Sequence, residues 1–147
     1  PHPTLDLAAC NPPYKAVGAG LRNPDERMEN ARHECTCTLE DVAKAGRDVL
    51  RFGGRFCLCQ RPERLADAMH VFRSYGLEPK RLRLVQQRIN TAPSLFLLEV
   101  RRGGKPGLSV LPTLIIEDEN GGFSAEMLEI YGNYKFGHEG GRADGRK

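Results

Sequence analysis

The sequence has no long apolar run. Its longest, Leu95-Phe96-Leu97-Leu98, falls far short of the ~20 residues that a bilayer-crossing helix needs, so no membrane-spanning segment is expected. No charged stretch followed by an apolar core precedes the first strand-like run, so a secretory signal is not visible. Cysteines number five, an odd count, and four of them form two Cys-x-Cys pairs, Cys35/Cys37 and Cys57/Cys59, with no Cys-x-x-Cys spacing. That pattern suits reduced thiols better than an extracellular disulfide framework and points to the cytoplasm. Four thiolates would suffice for tetrahedral zinc, but Cys35 and Cys37 would diverge on a helix; small buried apolar residues are the plainer reading, and no metal is expected. Lysine and arginine are missing from residues 117–129, which carry Glu117, Asp118, Glu119, Glu126 and Glu129.

What is present is ordinary for one soluble domain: 147 residues, 16.4 kDa, 39% hydrophobic and 28% charged. The net charge of +3 is small, but its distribution is uneven. Residues 73–105 hold eight bases (Arg73, Lys80, Arg81, Arg83, Arg88, Arg101, Arg102, Lys105) against Glu78 and Glu99, an arrangement that fits either a polyanion-binding track or a solvated face.

Residues 5–10 (LDLAAC) read as a buried parallel strand, and residues 15–30, with Gly18, Gly20 and Pro24, as a long loop. Thr38 and Asp41 make a capping box ahead of a helical repeat of Leu39, Val42, Ala43, Val49 and Leu50, which Gly53-Gly54 is expected to stop. A strand at 55–60 and a helix opening at Pro62 and closing at Gly76 follow, with Leu65, Met69 and Phe72 on one face. Residues 81–84 alternate as a half-exposed strand, and residues 94–100 form another that pairs with it antiparallel at a sheet edge. A short extended piece at 108–116, a short helix at 125–130 and a glycine-rich disordered tail at 133–147 complete the reading. The domain division is therefore 1–132 and 133–147, and the element order is α/β with parallel crossovers and an antiparallel end.

The strand at 5–10 runs straight into Asn11-Pro12-Pro13-Tyr14. Each proline fixes its own φ near −65° and keeps the preceding residue out of helical geometry, so this main chain is rigid. At the carboxyl end of a parallel strand it would lie where open α/β sheets bind ligands. The Asn11 amide oxygen and the Pro12 carbonyl then offer two fixed acceptors, and Tyr14 a flat apolar face. An exocyclic amino group on a planar heterocycle requires that set: its N–H groups bind the acceptors, its nitrogen becomes pyramidal, and ring stacking contributes roughly 1–3 kcal/mol. Orientation and electrostatics suffice, without an ionisable base. Taken alone, the four residues equally fit a rigid turn.

With its context, "LDLAACNPPYK" resembles the fourth strand and catalytic motif of class I S-adenosylmethionine-dependent methyltransferases that modify adenine N6, cytosine N4 or glutamine N5. "NARHECTCTLEDV", "GGRFCLCQRPERLADAM", "YGLEPKRLRLV" and "AEMLEIYG" are similar to the bacterial tRNA(Val) adenine-37 N6-methyltransferases, also called methyltransferase small domain proteins. The resemblance implies the carboxyl-terminal half of a Rossmann-like sheet, strands four to seven with the last antiparallel, plus two helices. It assigns Asn11 and Pro12 to the amino group, Pro13 to holding the backbone and Tyr14 to stacking. The methyl would come from S-adenosyl-L-methionine by direct attack of adenine N6 on the sulfonium carbon, with Asn11 near the methyl donor.

That family keeps its cofactor site mainly on the first three strands, in a glycine-rich loop and a ribose-binding acid, and neither is found. Gly18-Ala19-Gly20 follows the proline motif instead of an apolar strand. This chain is therefore expected to be inactive alone, with the missing amino-terminal half or a second copy meeting the exposed edge of the first strand. Under the resemblance Lys15, Arg32 and His33 become candidate contacts to RNA phosphate, and Arg81 and Arg83 to tRNA backbone; ordinary surface positions account for them equally. A protein glutamine-N5 methyltransferase and a non-catalytic dimerising module are the rival readings.

Overall fold

The computed structural model describes residues 2–11 and 37–139. Its sheet has six strands: β1 (Leu5–Cys10), β2 (Leu50–Gln60), β3 (Leu77–Gln86), β4 (Pro93–Arg102), β5 (Ser109–Val110) and β6 (Leu114–Ile115). Helices α1 (Leu39–Val49), α2 (Leu65–Ser74, entered through a 3-10 turn at Pro62–Arg64) and α3 (Ala125–Glu139) connect or follow them.

The strand order is β1-β2-β4-β3-β5, with β6 also on β3. β1 and β2 are parallel, while β4 is antiparallel to both of its neighbours. β4 is thus inserted inside the sheet between β2 and β3, where the sequence places it at an edge; β5 and β6, both parallel to β3, continue the sheet beyond. Its burial explains the position: Phe96, Leu98 and Val100 are almost wholly buried, which an edge strand does not achieve.

Thr38 caps α1 as expected, its hydroxyl accepting from Asp41 N at 3.1 Å and its own N–H donating to the Asp41 carboxylate at 3.1 Å. The helix stops earlier than the glycines suggest. Leu50 turns extended (φ −79°, ψ 136°) and is fully buried at the start of β2, so Gly53 and Gly54 lie inside the strand. They form the irregularity between the Leu5↔Leu50 and Leu7↔Arg55 pairs. A Cβ on Gly54 would stand 2.8 Å from the Arg51 carbonyl and 3.0 Å from that of Leu5, so glycine is what lets β1 close on β2. α3 carries helical backbone to Glu139, past Asn133 where the tail was expected to begin, after Ser124 caps it by accepting from Met127 N at 3.2 Å. Residues 140–147 lie outside the described residues.

α1 and α2 pack on one sheet face. Val42, Ala43, Ala68 and Phe72 meet Phe56, Leu58, Leu98 and Val100 there, with the Phe56 and Phe72 rings 5.5 Å apart. On the other face α3 forms a smaller cluster of Val85, Leu114 and Met127, joined by Leu95, Ile116 and Phe123. Among the described residues nothing covers the rest of that face, where Leu5 (47% exposed), Leu7 (54%) and Leu97 (38%) remain.

Candidate active site

Ala8 and Cys10 pack into the helical core, so the alternation of β1 turns Leu7 and Ala9 to the uncovered face. Registers extend that face across the sheet: Ala9 is opposite Cys57, Cys57 opposite Glu99, and Glu99 opposite Arg81. One step on, Cys59 faces Leu97 and Leu97 faces Arg83. Asn11 follows directly after the Cys10↔Leu58 pair, exposed at the carboxyl end of β1. These residues with Leu111 line one trough of about 510 Å³.

The trough is mostly apolar, and its charged rim is internally compensated. Arg81 Nε donates to the Glu99 carboxylate at 3.1 Å, and Arg83 donates to Glu126. The same device recurs outside it: Arg73 Nε binds Glu78 at 3.1 Å and Arg88 Nε binds Glu117 at 2.7 Å. Hydrogen bonds from Arg73 hold the Glu78 carboxyl below the usual carboxylate range, and those from Arg88 and Gln87 do so for Glu117. The basic stretch at 73–105 therefore meets carboxylates from its own strands and from the acidic stretch at 117–129.

Burial raises the Cys59 thiol; burial and then Glu99 raise Cys57, against the opposing pull of Arg55 and Arg81. Both stay protonated at neutral pH, which suits neither a nucleophile nor a metal ligand. Among the described residues no group of three or more His, Cys, Asp or Glu could hold a metal ion. Nor, among those residues, is any helix long and apolar enough to cross a membrane.

Of the residues singled out in the sequence, the structure brings Asn11, Arg81 and Arg83 to one trough. Pro12, Pro13, Tyr14, Lys15, Arg32 and His33 lie outside the described residues. Sequence reasoning missed Glu99, Glu126 and Leu97 as parts of the rim and floor. The signal for Glu99 was available, since β3 and β4 both alternate, but the register that sets it against Arg81 was not.

A sheet in which parallel strands receive one antiparallel strand between the last two, with two crossover helices on one face, is the Rossmann-like methyltransferase fold; β1 to β4 are its strands four to seven. In particular, the chain is similar to the crystal structure of an Agrobacterium tumefaciens protein described as a predicted O-methyltransferase, with a TM-score of 0.67 and 18% identity over 90% of this chain and 53% of that one. It is also matched to a candidate DNA modification methylase of Thermus thermophilus, with a TM-score of 0.49 and 19% identity over 73% of this chain and 50% of that one. Neither a family profile nor a curated protein matches the sequence. At these identities the likeness is one of fold, and the chain spans about half the length of the structures it matches.

The described residues do not by themselves fit S-adenosyl-L-methionine. The one carboxylate in the trough, Glu99, is engaged by Arg81, and Asn11 is the only described residue of the expected methyl-transfer motif.

Proposed function

We propose that this chain is the acceptor-binding half of an S-adenosylmethionine-dependent methyltransferase that modifies an exocyclic amino group, adenine N6 of tRNA at adenine-37 of tRNA(Val). The observation that carries the reading is the position of Asn11: a polar amide at the carboxyl end of a parallel strand, opening the rigid Pro12-Pro13-Tyr14 run. Open α/β sheets bind ligands at that end. Asn11 and the Pro12 carbonyl hold the two N–H groups of the acceptor, and Tyr14 stacks its ring. When bound, the cofactor supplies an electrophilic methyl group, and the residues that hold it belong mainly to a part of the fold that this chain does not contain. The complete enzyme acts on RNA, and this chain alone is inactive.

One observation favours a second reading, methylation of a protein glutamine N5. Arg73, Arg81, Arg83 and Arg88 are each bound to a glutamate, which leaves less free positive charge for a polyanion than the sequence suggests. Radiolabelled methyl transfer by the complete protein to unmodified tRNA and to a release factor separates the two. Transfer to tRNA is expected, falling about 10²–10³-fold in Asn11→Ala by analogy with loss of one fixed polar contact at a reacting centre. Transfer to protein alone, or an Asn11→Ala variant as active as the wild type, would refute the proposal.

A further inference from the structure

Parallel sheets are covered on both faces, because their strands are apolar on both sides. Here the face turned away from α1 and α2 is covered only where α3 lies, and β1 has one hydrogen-bonded neighbour, β2, among the described residues. Leu5, Leu7 and Ala9 on β1 and the trough over Cys57, Cys59 and Leu97 are the open part.

Handedness connects the open edge to the open face. The crossovers β1-α1-β2 and β2-α2-β3 travel away from the free edge of β1, and both helices lie on the same face. About 98% of such crossovers are right-handed. Turning a right-handed unit by half a turn about its strand axis reverses both its direction and its face. Parallel strands wound outward from the free edge of β1 therefore bring their helices to the face that is open here.

A second copy of this chain cannot close both. Two β1 edges paired about an axis perpendicular to the sheet leave both open faces on the same side, still open. Two open faces packed together leave both β1 edges unpaired.

We infer that the β1 edge and the open face form one docking surface for a parallel α/β segment of the same polypeptide, amino-terminal to Leu5. Its helix layer continues the one α3 begins and sets apolar side chains into the trough. That this segment docks here follows from topology; that it carries the methyl-donor site rests on the proposed function.

Cys57 and Cys59 report on the docking. The 147-residue chain and the polypeptide encoded by the whole reading frame are treated with N-ethylmaleimide under native conditions, and the peptide holding both thiols is mapped by mass spectrometry. Both thiols are expected to label in the chain alone, and labelling is expected to be lost in the longer polypeptide until it is denatured. Leu97→Arg, a substitution at a position already 38% exposed, leaves the Tm of the chain unchanged and lowers that of the longer polypeptide.

Equal labelling of the two proteins overturns the inference, as does a reading frame with no strand-helix pattern upstream. So do protected thiols in the 147-residue chain itself: as a monomer they mean that residues 12–36 or 140–147 cover the face, and as a dimer that a second copy does. Methyl transfer is read separately. Protected thiols without methylation leave the docking intact and refute the activity, while methylation with labelled thiols does the reverse.

Discussion

Phe72→Ala probes the contact on which both helices depend. Phe72 of α2 is fully buried and its ring lies 5.5 Å from that of Phe56 on β2, tilted by 39°. Phe56 in turn sits beneath Gly46 of α1, where even a Cβ would approach its ring to 3.0 Å. Sheet, α1 and α2 thus meet at one pair of rings, and the cavity left by truncation cannot be filled from one side alone. Loss of a buried phenylalanine costs about 3–5 kcal/mol, of which the ring pair itself accounts for about 0.5–1.5. Against a total of about 5–15 kcal/mol for a domain, that is a large share. The sequence has no tryptophan, so urea unfolding is followed by circular dichroism. With an m-value near 2 kcal/mol/M the midpoint falls by about 2 M. A loss under about 1 kcal/mol at unchanged m would refute the packing described. Phe72→Leu preserves most of the volume and should cost less than about 1.5 kcal/mol.

Thr38→Ala removes the capping box and should cost about 0.5–2 kcal/mol in the same titration. Glu78 and Glu117 have folded pKa values below their unfolded values, so their contribution is present above about pH 4.5 and is lost as pH falls through the lowered values. Urea midpoints measured from pH 6 to pH 3 should drop on the acid limb, and Glu78→Gln with Glu117→Gln should flatten that limb; an unchanged limb would show that the pairs contribute nothing.

Most of the fold was legible because it is local. The Thr38-Asp41 box, the Pro62 start of the second helical segment and the alternation of Arg81-Leu82-Arg83-Leu84 are short-range signals, and each appears where expected. Two elements were misread for one reason. Gly53-Gly54 reads as a helix stop until Leu5 is brought against it, and β4 reads as an edge until β2 pairs with it. Both facts depend on partners about 45 residues away in sequence, which no local pattern encodes. At the site Asn11 was legible from Pro12 and Pro13, whose geometry is intrinsic. Its neighbours Cys59 and Leu97 were not, since register alone brings them there.

Register also decides what the basic stretch can do. Along the chain, residues 73–105 are basic and residues 117–129 acidic; in space Arg83 reaches Glu126 and Arg88 reaches Glu117, while Arg81 takes Glu99 across β4. A guanidinium already held by a carboxylate displaces no counterion from a phosphate unless it first gives up that partner. Each phosphate neutralised contributes about 0.9 to the slope of log K against log salt on a duplex and about 0.7 on a single strand. For tRNA binding by the complete protein, Arg81→Gln with Arg83→Gln should therefore leave the slope unchanged, measured by fluorescence anisotropy over a salt series. A slope shallower by about 1.5–2 would mean that both arginines abandon their glutamates for RNA. In that case the pairs at the rim of the trough would be a resting arrangement that substrate displaces, and the compensated charge would no longer favour a protein substrate.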